Sequence, residues 1–177
     1  MLLNHDEIQL LLNEGVVENS GTEYINQTSL DITLGAEIIE ETADKYGTPL
    51  NLRNRESFSS RATKIGLGYS LHPGQFVLAS SQQIFNLPDY ISAEYKLKSS
   101  MARTGLEHLN AGWCDPGWHG SCLTLELKNM LNAHSILLHE GDRIGQVVFF
   151  KHNRVRRDKS YATVGRYNND KTVHGVK

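Results

Sequence analysis

Short runs in which apolar and polar residues alternate, each cut off by glycine or proline, constrain this chain more than any other feature. Leu30, Ile32 and Leu34 alternate with Ser29, Asp31 and Thr33, and Leu123, Leu125 and Leu127 alternate with Thr124 and Glu126. A period of two sends one set to each face of a strand, so both segments read as half-buried strands. Further strands are expected over residues 76–80, 90–97, 136–138 and 144–150. They are separated by turns at His72-Pro73-Gly74-Gln75, Asn86-Leu87-Pro88-Asp89 and His139-Glu140-Gly141-Asp142. Residues 4–13 break the pattern. Asn4 can cap a helix, Asp6 and Glu7 suit its first turn, Ile8, Leu11 and Leu12 share a face, and Gly15 stops it. Residues 37–69 are polar and poorly periodic and read as loops and short strands with no chemistry of their own. The fold class expected is mostly β, with one short N-terminal helix.

At 177 residues the chain is long enough to bury a core and reads as a single domain spanning 1–177. Its net charge of −2 gives no overall basic field, so neither nucleic acid nor a membrane surface is expected as a partner. The cations Arg154, Arg156, Arg157 and Lys159 gather locally instead. No apolar run approaches the roughly 18 residues of a membrane span. The start carries His5, Asp6 and Glu7 rather than a basic and then an apolar region, so no signal peptide is expected and the cytoplasm is the expected compartment. Two cysteines, Cys114 and Cys122, do not make a disulfide framework.

Chemistry concentrates in one stretch, KSSMARTGLEHLNAGWCDPGWHGSCLTLE, from Lys98 to Glu126. Lys98, Ser99, Ser100 and Arg103 are the charge-assisted donors that a polyphosphate takes. Asp115 lies in a Gly/Pro-rich turn. Glu126 is a carboxylate among leucines, where desolvation would raise its pKa toward the range useful for proton transfer. Thr124 and Glu126 would look together into a pocket.

In these motifs the chain resembles the dCTP deaminase family of the dUTPase superfamily. KSSMARTGL resembles the family's (R/K)SSLARLGL, AGWCDPGWHG its AG(W/F)IDPGF(x)G, and LTLEL its LTLE. GDRIGQVVF resembles GxxIGQL of the family and GDRIAQL of dUTPases. The resemblance implies a distorted jelly-roll-like β-barrel that forms homotrimers with active sites between subunits. It implies hydrolytic deamination of dCTP to dUTP, with or without further hydrolysis to dUMP. Glu126 would shuttle protons and Asp115 would hold the sugar 3′-hydroxyl and, in bifunctional members, activate the attacking water. Lys98, Ser99, Ser100 and Arg103, with Met101 and Ala102 between them, and Gln146 would bind the triphosphate, Arg103 coming from a neighbouring subunit. Ala111 and Gly112, with Thr124 and Leu125, would border the base. Mg²⁺ would enter with the phosphates, and dTTP is implied as an inhibitor. Asp31 would act near the phosphates through water or serve as a structural acid. The tail, about residues 158–177, would close over the nucleotide with Tyr161, Arg166 and Asp170 as counterparts of a family Tyr, Lys and Gln, and Lys171 as an alternative at the base.

Two departures stand out. Asp170 replaces an amide donor with an acceptor. The step from Asp115 to Glu126 is one residue longer than in the family, so a bulge within His119-Gly120-Ser121-Cys122 is needed to keep Glu126 on the correct face. Zinc is not expected: Cys114, His119 and Cys122 lack the HxE and PCxxC spacing of zinc deaminases. Two other readings stay open, a plain dUTPase and a nucleotide-binding regulator without turnover. The absent glycine-rich C-terminal motif argues against the first, and the altered tail sustains the second.

Overall fold

A computed structural model of the chain describes residues 1–43 and 47–177. Residues 44–46, within the polar stretch read as loops and short strands, lie outside the described residues. The N-terminal helix α1 (His5–Asn13) begins as expected. The Asn4 side chain accepts from the Glu7 backbone N–H and the Glu7 carboxylate accepts from Asn4 N, a capping box. Ile8 and Leu11 are buried on its inner face.

The strands are β1 (Val17–Glu18), β2 (Leu30–Glu41), β3 (Ser60–Lys64), β4 (Tyr69–Leu71), β5 (Phe76–Asn86), β6 (Ile91–Leu97), β7 (Leu106–Glu107), β8 (Trp113–Cys114), β9 (His119–Asn129), β10 (Ile136–Leu138) and β11 (Arg143–Lys151). Two single turns of α-helix are also described, α2 (Ser99–Ala102) and α3 (Tyr161–Val164), besides short 3-10 turns. Among the described residues the main sheet has the order β7-β9-β5-β2-β11-β6-β8, with β1 on β5 and β3 on β2, while β4 and β10 form a separate ladder. Every pairing is antiparallel.

The sheet curls because β2 serves two ladders. Its first half, Leu30 to Thr33, pairs with β11, and its second half, Ile38 to Glu40, with β5. Gly35 marks the change. A Cβ there would sit 2.4 Å from Ser80 Oγ, so only glycine lets β2 lie this close to β5. The curl buries one core between the sheet's inner face and α1, with Phe85, Phe149, Leu30, Ile32, Leu34 and Leu125 fully enclosed.

The structure departs from the half-buried reading of β2. Ser29, Asp31 and Thr33 are as buried as their apolar neighbours. Curling covers both faces, and the polar set is satisfied inside. Gln83 Oε1 accepts from Thr33 N at 3.0 Å and its Nε2 donates to Thr33 Oγ1 at 2.9 Å. Gln83 belongs to a bulge of β5, which advances four residues from Ser80 to Ile84 while β9 advances two. Side chains replace the missing ladder bonds there, as buried polar groups require.

Candidate active site

The structure opens a cavity of about 440 Å³ between the outer face of β9, the 111–118 loop, residues 56–58 and the chain's C-terminal segment. That size falls in the range of small-ligand pockets. β9 sets its floor. Thr124, Glu126 and Lys128 alternate with the buried Leu125, Leu127 and Asn129, so the carboxylate points outward into the cavity. A bulge lies in the interval before it, at Gly120. Between the pairs Phe85↔Ser121 and Asn86↔His119, β9 advances two residues while β5 advances one. Gly120 takes φ +65°, the left-handed conformation that glycine supplies at such bulges.

Glu126 lies opposite Leu78 of β5, and Leu78, Trp118 and Phe58 are apolar residues that line the same cavity. Burial pushes its carboxyl from the ordinary 4.5 up to about 7, with a backbone donor opposing the rise. A carboxylate so placed exchanges a proton near neutral pH. Both thiols move the other way from reactivity. Burial pushes Cys122 up to about 11 and Cys114 up to about 12, so both stay protonated. Among the described residues no group of three or more His, Cys, Asp or Glu side chains is placed to hold a metal ion.

The 111–118 loop forms the facing wall. Gly112 packs on β6, its carbonyl accepting from Tyr95 N at 2.8 Å, and a Cβ on it would lie 2.4 Å from the Tyr95 carbonyl oxygen. Gly112→Ala is therefore expected to push the loop off β6. Overpacking of this kind costs roughly 1–3 kcal/mol. It would shift Asp115 as well, and a fall in thermal midpoint together with a raised KM would be the measured signs. Asp115 itself is exposed and takes the Trp113 indole N–H at 3.1 Å.

The C-terminal segment closes the third side by joining the edge of the bulge. Asn169 N donates to the His119 carbonyl, Cys122 N to the Asp170 carbonyl, and Asp170 N to Ser121 Oγ. Trp118 Nε1 and Ser121 Oγ both donate to the Tyr167 carbonyl, at 2.7 and 2.8 Å. This brings Asp170, Tyr167, His174, Gly175 and Val176 to the cavity. The Asp170 carboxylate is held at one oxygen by Lys177 Nζ, and its other oxygen is buried without a partner among the described residues.

Of the site residues expected from sequence, Glu126, Asp115, Ala111, Gly112, Thr124, Tyr161 and Asp170 share this cavity. Leu125 faces the core. Arg166 is exposed and outside the cavity wall, and Lys171 lines a separate groove with Lys64 and Gln82. Lys98, Ser99, Ser100, Met101, Ala102, Arg103 and Gln146 also lie outside the wall. Lys98 Nζ donates to the buried Asp31 at 2.6 Å, Arg143 approaches the same carboxylate at 3.4 Å, and Ser29 Oγ donates to Gln146 at 3.1 Å. On one chain there are thus two polar centres, an acid-base cavity and a cationic cluster around α2. Sequence reasoning missed Ser57 and Phe58, which sit in the aperiodic stretch, and it passed over Trp113, Trp118 and Tyr167. The aromatics in the GWCDPGW and GRYNN segments were the available signal.

Known proteins supply an independent line. A family model described as dCTP deaminase-like matches residues 2–152. The curated "dCTP deaminase, dUMP-forming" of Methanospirillum hungatei is 36% identical over 166 residues, covering 84% of this chain and 85% of that protein. The protein of the same name from Nanoarchaeum equitans is 35% identical over 176 residues, covering 89% and 88%. The crystal structure of a 2'-deoxycytidine 5'-triphosphate deaminase from Agrobacterium tumefaciens superposes with a TM-score of 0.66 at 20% identity, a likeness of fold. It covers 84% of this chain, which spans 47% of that longer one. The match of one family model to most of the chain, relatives above one-third identity over most of their length, and the shared curled sheet lead to one assignment: the chain belongs to the dCTP deaminase-like family.

Proposed function

We propose that this protein is a hydrolase that removes the 4-amino group of dCTP and carries the product on to dUMP. The observation that carries the reading is Glu126, a carboxyl raised to about 7 and aimed into a nucleotide-sized cavity that also holds Asp115. Ionised Glu126 takes a proton from a water as that water's oxygen bonds to C4. It then returns the proton to the exocyclic nitrogen, the C4–N bond breaks, and ammonia leaves. Acid-base assistance of this kind supplies roughly 10²–10⁴-fold. Orientation by Thr124 and the Ala111–Gly112 backbone supplies more. The relatives named dUMP-forming support the second hydrolysis, in which Asp115 takes the proton of a water attacking phosphorus.

The triphosphate needs cations that the cavity of one chain lacks. We infer that a homotrimer brings Lys98, Ser99, Ser100, Arg103 and Gln146 of a neighbouring subunit to it, and a light-scattering mass of three chains would test this. Mg²⁺ fits as a substrate-held ion, since it uses phosphate oxygens, water and few protein ligands. It would neutralise phosphate charge. The C-terminal segment, with Tyr161, Arg166 and Asp170, would cover the bound nucleotide.

The test is to incubate the protein with dCTP and Mg²⁺ and resolve the products by chromatography. Formation of dUMP supports the whole reading, and accumulation of dUTP restricts it to deamination. Untouched dCTP alongside cleaved dUTP would overturn the deaminase reading in favour of a dUTPase.

A further inference from the structure

Trp113 is an unusual residue to find on the short outer strand β8. It is 59% exposed, although a large aromatic ordinarily gains most from burial. Its position is nonetheless fixed. The indole stacks on Phe150 of β11 with centroids 6.1 Å apart and planes at 28°, and its strand is paired to β6 through Glu94. Trp113 and Asp115 stand two positions apart along an extended segment, which puts their side chains on the same side, with the buried Cys114 between them facing inward. The indole N–H donates to Asp115 Oδ1 at 3.1 Å. Among the described residues that is the one hydrogen bond shown to the Asp115 side chain.

We propose that Trp113 is a positioning residue: it clamps one oxygen of Asp115, so that the other is presented to the sugar 3′-hydroxyl of the nucleotide in the cavity. This rests on the deaminase reading and on Asp115 as the group that meets the sugar. An exposed aspartate otherwise samples several rotamers, and each binding event must select one of them. The stacked indole makes that selection before the substrate arrives. An acceptor held by a fixed donor favours a ligand that brings a hydroxyl, and it gains nothing from one that lacks it.

The experiment compares kcat/KM for dCTP and for 2′,3′-dideoxy-CTP, in the wild type, Trp113→Phe, Asp115→Ala and the double variant. Phenylalanine keeps an aromatic ring for the stack on Phe150 and removes the N–H. The wild type is expected to prefer dCTP, and Trp113→Phe to lose about tenfold or more of that preference, the scale of one hydrogen bond to a charged group. Adding Trp113→Phe to Asp115→Ala is expected to lower the preference no further, because alanine leaves the indole N–H no acceptor to hold. A general loss of packing would slow both substrates alike and leave the ratio unmoved, which overturns the proposal. So would a Trp113→Phe effect that persists in full on the Asp115→Ala background. A wild type that ignores the 3′-hydroxyl refutes Asp115 as the sugar contact, and a wild type that turns over neither nucleotide refutes the deaminase reading itself.

Discussion

Glu126→Gln is expected to slow dCTP deamination by roughly 10²–10⁴-fold, the contribution of a proton shuttle, and at the same time to make the folded protein more stable above pH 7. The first effect follows from chemistry. Glutamine fills the same volume opposite Leu78 but cannot take a proton from water. The second follows from the raised carboxyl, ordinarily 4.5 and here about 7 because burial disfavours the charged form. A group whose pKa is higher folded than unfolded favours the folded state below its unfolded value. That contribution is lost as pH rises from about 4.5 through about 7. Fully expressed, a shift of that size corresponds to roughly 3 kcal/mol, an upper bound because cavity water reaches part of the carboxyl. The wild type should therefore lose thermal stability across that interval, and the glutamine variant should lose less. Wild-type kcat/KM should fall about tenfold per unit as pH drops below about 7, where the base is protonated. Melting curves and initial rates between pH 5 and about 8.5 measure both limbs. A variant as active as the wild type, or a rate that rises as pH falls through 7, would remove Glu126 from the chemistry.

The gain in stability and the loss in rate have the same origin. The alternation of β9 turns Glu126 away from the core and into a cavity with apolar residues in its wall. The surroundings that make it a useful acid-base group are the ones that make its ionised form costly. Such trades between stability and activity are general at active sites.

Much of this arrangement was legible in the sequence. Alternation in LTLEL put Thr124 and Glu126 on one face because period two is a property of the strand itself, independent of what packs around it. Asn4, Glu7 and Gly15 marked α1 for an equally local reason. The count from Asp115 to Glu126 called for a bulge, and Gly120 within that interval was the residue able to make it. The curl was not legible. Leu30 to Leu34 alternates like a surface strand, yet Asp31 and Thr33 are buried, because β2 turns from one ladder to the other and Gln83 folds inward from fifty residues away. Nothing periodic in residues 37–69 announces that Ser57 and Phe58 reach the cavity. They arrive there because β3 pairs with the far end of β2. The separation of the cations around α2 from the acid-base cavity is likewise a matter of topology, since Lys98 and Glu126 lie in one continuous motif and on different parts of the sheet.

Lys98→Ala should show what that separation means. The Asp31 carboxylate is 2% exposed and Lys98 25% exposed. Burial pushes Asp31 up, but hydrogen bonds from Lys98 and Asn26 and the charges of Lys98 and Arg143 outweigh it, so its pKa lies below the ordinary 3.8. Removing the ammonium leaves a buried charge with the Asn26 amide at 2.8 Å and a half-exposed Arg143 at 3.4 Å. Stranding one partner of a buried pair costs roughly 3–5 kcal/mol, and the residual donors here place the expected loss at the lower end, about 3 kcal/mol. The pH sense is opposite to that of Glu126. A depressed carboxyl stabilises the fold above its ordinary pKa of 3.8, and that support is lost as pH falls through the lower, folded value, so the variant's deficit should shrink in acid. Adding Asp31→Asn to Lys98→Ala neutralises the stranded charge and is expected to restore much of the stability, a coupling that a double-mutant cycle reads directly. If Lys98 also meets the nucleotide phosphates, the KM for dCTP should rise about tenfold in Lys98→Ala, the scale of one lost charged hydrogen bond, and stay raised in the double variant. Recovery of KM together with stability would mean that Lys98 serves Asp31 alone, and the phosphates would then have to find their cations among Arg103, Arg143 and the tail.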